Sequence, residues 1–166
     1  MSPHLLSEFH RLRGKGWHCV ENAVQPEWPA AINSRYPWVP QDVRDAMAEL
    51  QEVVSADQTC WLLTARDYAG DSESSFAWNE WERLSMEAAG DDRDWIERIQ
   101  TFWDQHLPIC LSVKDGYAYF ALQEDGSVVT GREPEFEETT VVAPNYERFI
   151  AWLAHSLDSP PQAPRG

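Results

Sequence analysis

Residues 108–123 constrain the fold more than any other stretch of the chain. Pro108 to Lys114 alternates, with Ile109, Leu111 and Val113 on one side and Cys110, Ser112 and Lys114 on the other. Tyr117 to Gln123 alternates again, and Asp115–Gly116 between the two runs is the strongest short-range signal for a two-residue hairpin. Such a turn sets Lys114 opposite Tyr117, Val113 opposite Ala118, Leu111 opposite Phe120 and Ile109 opposite Leu122. The last three of these pairs are apolar against apolar, which fixes the expected register. The other face then carries Cys110, Ser112, Tyr117 and Tyr119. Glu124-Asp125-Gly126 reads as a second tight turn into a strand at 127–130, giving a three-stranded meander, and a β-prone run follows at 139–142.

The flanking sequence is mostly helical. Leu5, Leu6, Phe9 and Leu12 lie at helical spacing over 3–13, and Gly14 and Gly16 end the run. A short strand fits 17–20. Prolines at 26, 29, 37 and 40 leave room only for a short helix around 30–35. Val43, Ala46, Met47, Leu50, Val53 and Val54 make one stripe on a helix expected over 40–54. The apolar run at 59–64 fits a buried strand, and 65–75 reads as a polar loop. Asn79 with Glu82 fits a capping pair for a helix ending at Gly90. Asp91 would cap a helix to residue 106 whose stripe is Trp95, Ile96, Ile99, Phe102 and Trp103. Pro144 opens a last helix bearing Tyr146, Phe149, Ile150, Leu153 and Leu157. The expectation is an α+β fold, a central, mostly antiparallel sheet with a C-terminal meander flanked by helices. It is read as a single domain over 1–157 with a disordered tail at 158–166.

Charge narrows the function. Twenty-eight Asp and Glu against 13 Lys and Arg give a net charge of −15. Binding to nucleic acid or anionic membrane needs a surplus of cations, so direct contact with either is not expected. The excess of like charge favours a monomer. Cys19, Cys60 and Cys110 are odd in number and widely spaced, which suits a reducing compartment. The chain start has neither the basic nor the apolar region of a signal peptide, and no apolar run approaches the ~20 residues of a membrane span. A cytoplasmic location is expected.

Sequence motifs for chemistry are scarce. Gly70-Asp71-Ser72 matches the nucleophile block of one lipase class, but Trp152 stands three before His155, where that class needs aspartate. No Gly-x-Ser-x-Gly elbow, Walker A loop or Gly-x-Gly-x-x-Gly pattern occurs. The five histidines show no metal-ligand spacing, and no metal or cofactor is expected. Carboxylate pairs that a glycosidase could use, Glu80/Glu82 and Glu135/Glu137, read more simply as solvated acidic faces. The acids are concentrated. Nine lie between Asp67 and Asp94, against Arg83 and Arg93, and six between Glu124 and Glu138, against Arg132. Aromatic residues are interleaved with both, which is what a site for a basic protein needs.

Trp61-Leu62-Leu63, Asp67-Tyr68, Phe76-Ala77-Trp78-Asn79-Glu80-Trp81-Glu82, Phe102-Trp103, Leu107-Pro108, Asp115-Gly116-Tyr117-Ala118-Tyr119 and the closing 144–157 helix follow in an order that resembles the SUKH superfamily. That group includes the fungal regulator of cell-wall glucan synthesis and many bacterial immunity proteins. The resemblance runs from about residue 36 to 157. It implies an α+β fold and a non-enzymatic role: binding and occluding a cognate, basic toxin protein, a nuclease or nucleic-acid deaminase, or serving as a regulatory interaction module. The residues expected to bind the partner are Asp71, Glu73, Trp78, Glu80, Glu82, Glu133, Glu135, Phe136, Glu137 and Glu138.

Overall fold

Seven strands form one antiparallel sheet whose spatial order is its chain order: β1 (His18–Glu21), β2 (Leu50–Val54), β3 (Cys60–Leu62), β4 (His106–Ser112), β5 (Ala118–Gln123), β6 (Val128–Arg132) and β7 (Glu135–Ala143). The helices are α1 (Pro3–Gly14), α2 (Ala30–Arg35), α3 (Gln41–Glu49), α4 (Ala65–Ala69), α5 (Glu80–Ala89), α6 (Arg93–Asp104) and α7 (Tyr146–Ser156). The computed structural model describes residues 1–70 and 77–156, so Asp71, Glu73 and the tail expected at 158–166 lie outside the described residues. The expected α+β class holds, and the meander extends from the C-terminal strands to the whole sheet.

Helices cover both faces. One face packs under α1, α2, α3, α4 and α7, in a core that joins Leu5, Phe9, Met47, Ile109, Phe120, Phe149 and Leu153. The other lies under the α5–α6 pair, where Trp81, Ile99 and Trp103 meet Leu111, Tyr119, Ala121 and Val129. This cover stops short of the edge strand. Val141 stands opposite Val129 in β7 yet remains 57% exposed. Among the described residues no helix is long and apolar enough to cross a membrane.

The hairpin register differs from expectation. Ser112 pairs with Ala118, Leu111 with Tyr119, Cys110 with Phe120 and Leu107 with Leu122. Five residues, 113–117, therefore connect the strands, with Gly116 in a left-handed conformation (φ 101°). The expected alignment assumed one buried face. With both faces buried, apolar pairing is satisfied in either register and cannot choose between them. A bulge between Pro108 and Cys110 also breaks the alternation. Leu107, Ile109 and Cys110 all enter the first core, and Leu111 the second. Such a bulge inserts one unpaired residue and switches the faces of everything beyond it.

Other boundaries move for local reasons. The helix expected over 40–54 ends at Glu49, and Leu50 turns extended (φ −99°, ψ 134°) to start β2. Leu50 and Val53 stay in the same core by either route, and pairing with both β1 and β3 decides for the strand. The first part of the expected 65–75 loop is α4, where Thr64 N–H donates to Asp67 Oδ2 at 2.7 Å and Gly70 (φ 77°) ends the turn. The cap of α6 is Asp92, which accepts from Trp95 N–H at 3.1 Å, rather than Asp91. His106 begins β4 instead of ending that helix.

The second core is held by large rings. The Tyr119 ring centroid lies 5.3 Å from Trp81 and 5.0 Å from Trp103. Neither indole N–H has a hydrogen-bond partner among the described residues, so packing alone holds them. Trp103→Ala is therefore expected to destabilise the protein by about 3–5 kcal/mol. Trp95→Ala on the same helix, 41% exposed, should stay within about 0.5 kcal/mol of wild type. Urea unfolding of the two variants measures both.

Candidate functional site

Tyr117 ends the loop between β4 and β5, and three segments converge on it. Trp81, one residue inside α5, stacks on its ring at 5.6 Å with 28° between planes. Phe136, near the start of β7, meets it edge-on at 6.4 Å. Glu133, in the β6–β7 turn, accepts a hydrogen bond from the Tyr117 backbone N–H at 3.2 Å. Glu80 is the first residue of α5, where the helix dipole favours a negative charge. The Tyr117 phenol is pushed up to about 12, first by burial and then by the charges of Glu80 and Glu133. Two acids far apart in sequence, one from each acidic stretch, thus act on the same phenol. The phenol stays protonated at neutral pH, so the group is an aromatic cluster that adds no charge of its own beside two carboxylates. That combination suits a guanidinium or ammonium.

The β6–β7 arm is shaped by a close approach. Arg132 pairs with Glu135, and the next pairing is Thr130 with Thr140, so residues 136–139 arch out of the ladder opposite Gly131. The Tyr119 hydroxyl donates to the Phe136 carbonyl beneath the arch. A Cβ on Gly131 would stand 2.5 Å from that hydroxyl and 2.7 Å from the carbonyl, so glycine is required by contact and not by backbone angle.

The expected partner-binding residues separate into groups. Glu80 and Glu133 come together at Tyr117. Glu135 and Glu138 are exposed on β7. Glu137 is half-buried, with one carboxylate oxygen enclosed and without a hydrogen-bond partner among the described residues. Phe136 is only 9% exposed and belongs to the second core, so it supports the Tyr117 ring rather than standing out as an anchor. Trp78 packs edge-on against Tyr36 at 6.2 Å and Tyr68 at 5.8 Å beside the first core, and is likewise no free anchor.

Glu82 is committed elsewhere. Arg35 donates to both of its carboxylate oxygens, at 2.8 and 2.7 Å, and to Asp104 Oδ1 at 2.8 Å. The Glu82 side chain is only 13% exposed. The hydrogen bonds that Arg35 donates to Glu82 raise the Arg35 pKa above its ordinary value. The capping pair expected between Asn79 and Glu82 does not form, because the Asn79 side chain makes no cap bond. Glu80 pairs instead with Arg83 at 3.1 Å, so Glu80 and Glu82 do not act as facing carboxylates.

Sequence reasoning missed Tyr117 and Arg35. The alternating pattern places Tyr117 on a strand face, and its position beside the Asp-Gly turn is the signal the sequence offers. Arg35, at the end of α2, gave none. Among the described residues no group of three or more His, Cys, Asp or Glu is placed to hold a metal ion. An open groove of about 580 Å³ lies along α6, lined by Asp94, Glu97, Arg98, Thr101, Phe102 and Gln105. That lining contains no nucleophile–base pair of the kind covalent catalysis uses. Comparison with family models, with curated proteins and with solved structures finds no match.

Gly131→Ala is expected to cost about 1–3 kcal/mol through overpacking and to loosen the 136–139 arch, read as faster amide exchange there than in β5. Arg35→Ala and Glu82→Ala should be strongly non-additive. Denaturation of the singles and the double is expected to give a coupling energy of about 1–3 kcal/mol, and additivity would refute the pairing.

Proposed function

We propose that the protein is a cytosolic immunity protein that binds and occludes a cognate bacterial toxin domain, a nuclease or nucleic-acid deaminase, through its acidic surface. The convergence of Glu80 and Glu133 on the Tyr117 ring carries this reading. Enzymes that act on nucleic acid line their clefts with Lys and Arg to neutralise phosphate. Carboxylates set on a rigid frame compete for the same cations. Trp81, packed into the second core, fixes the Tyr117 ring from beneath. Glu135 and Glu138 extend the negative field along β7. A net charge of −15 accelerates encounter with a basic partner, which serves an antidote that must act before the toxin does. The protein carries out no reaction in this role.

The deciding experiment is co-expression with candidate toxin domains, those of any neighbouring gene first, followed by binding kinetics. Neutralisation with sub-micromolar affinity is expected, with association slowing at least tenfold between low and high salt. Glu80→Gln with Glu133→Gln should lower the association rate and flatten that salt dependence, whereas Tyr117→Ala should act on dissociation by about tenfold or more. Weak capture of many host proteins and no toxin neutralisation would favour a regulatory interaction module. Tight binding untouched by all three substitutions would move the interface to another surface.

A further inference from the structure

Cys60 in β3 and Cys110 in β4 place their sulfurs 3.2 Å apart, and all three cysteines of the chain are free thiols. The bulge between Pro108 and Cys110 creates this contact. Without it Cys110 would alternate with Ile109 and point into the core under α5–α6, whereas Cys60 packs against the first core. Cys110 is fully buried, and Cys60 is partly open to solvent. The pair therefore joins a cysteine partly open to solvent to one that is fully enclosed.

We propose that Cys60 and Cys110 are a thiol modification site for low-molecular-weight disulfides, of which oxidised glutathione is the type. The Cys60 thiolate attacks one sulfur of the reagent, forming a mixed disulfide and expelling one thiolate. Cys110 then attacks the Cys60 sulfur and expels the second thiolate, which takes up the Cys110 proton. The two protein thiols are oxidised by two electrons to one disulfide, and the reagent is reduced to two thiols. Burial raises the pKa of Cys110, in keeping with its role as the second and slower nucleophile.

The register makes the bond a reversible one. Cys60 lies opposite Ser112 and Cys110 opposite Leu62, so the two are diagonal neighbours rather than a facing pair. Diagonal positions sit about 7–8 Å apart, somewhat less between Cβ atoms. A relaxed disulfide asks for about 3.5–4.5 Å between Cβ atoms. Closing the bond draws β3 against β4, and such bonds are the readily reduced ones. The inference is independent of the acidic surface, since neither sulfur belongs to it.

The test treats the native protein with excess oxidised glutathione and follows intact mass and non-reducing peptide maps. Wild type is expected to lose the mass of two hydrogens, to yield a Cys60–Cys110 linked peptide, and to return to the dithiol with dithiothreitol. Cys110→Ala should accumulate glutathione on Cys60, and Cys60→Ala should leave Cys110 unmodified. Glutathione that stays on Cys60 of wild type without a link, a link through Cys19, or a Cys60 that never reacts would each overturn the proposal. The wild-type measurement decides the matter even if a core substitution impairs folding.

Discussion

The contact of Trp81 and Trp103 with Tyr119 presses the α5–α6 pair onto the second face of the sheet. Most of what is distinctive in the molecule depends on it. Once that face is covered, Leu111 and Tyr119 become core and Tyr117 is carried to the rim against Trp81. The Phe136 arch gains a floor and a hydrogen-bond donor in Tyr119. Three aromatic side chains, each burying roughly 150–250 Å², are enough to convert a half-solvated antiparallel sheet into a middle layer.

That second cover is also why the sequence was only partly legible. Element types were readable where one periodicity dominated, as in α1, α6 and α7. The meander was readable from its turn residues. The register of β4 on β5 was not, because Ile109, Cys110, Leu111, Tyr119 and Phe120 are all buried, so no polar position marked the outside. The β2 segment misled for a related reason: Leu50 and Val53 reach the same core from a helix or a strand. For the site, residue types were visible and positions were not. Phe136 and Trp78 looked like exposed anchors amid acids, yet both are packed.

Acidity, too, divides into kinds that composition cannot separate. Glu82 and Asp104 are bound to Arg35, which ends a helix of the first layer and grips two helices of the second. Asp57 accepts from Ser55 and Thr59, and these hydrogen bonds hold its carboxyl at about 2. Such acids serve the fold. Glu133, Glu135 and Glu138 instead stay exposed, and such acids are free to meet a basic surface.

The strand order has a consequence for biogenesis. Because every strand pairs with the one made just before it, the sheet can grow as the chain leaves the ribosome, one local closure at a time. The first core cannot close that way. Leu5, Phe9 and Leu12 of α1 share it with Phe149, Ile150 and Leu153 of α7, so α1 waits for α7. Until α7 is made, the first face of the sheet lacks Phe149, Ile150 and Leu153 and keeps apolar surface open, which makes the unfinished fold a natural client for a chaperone.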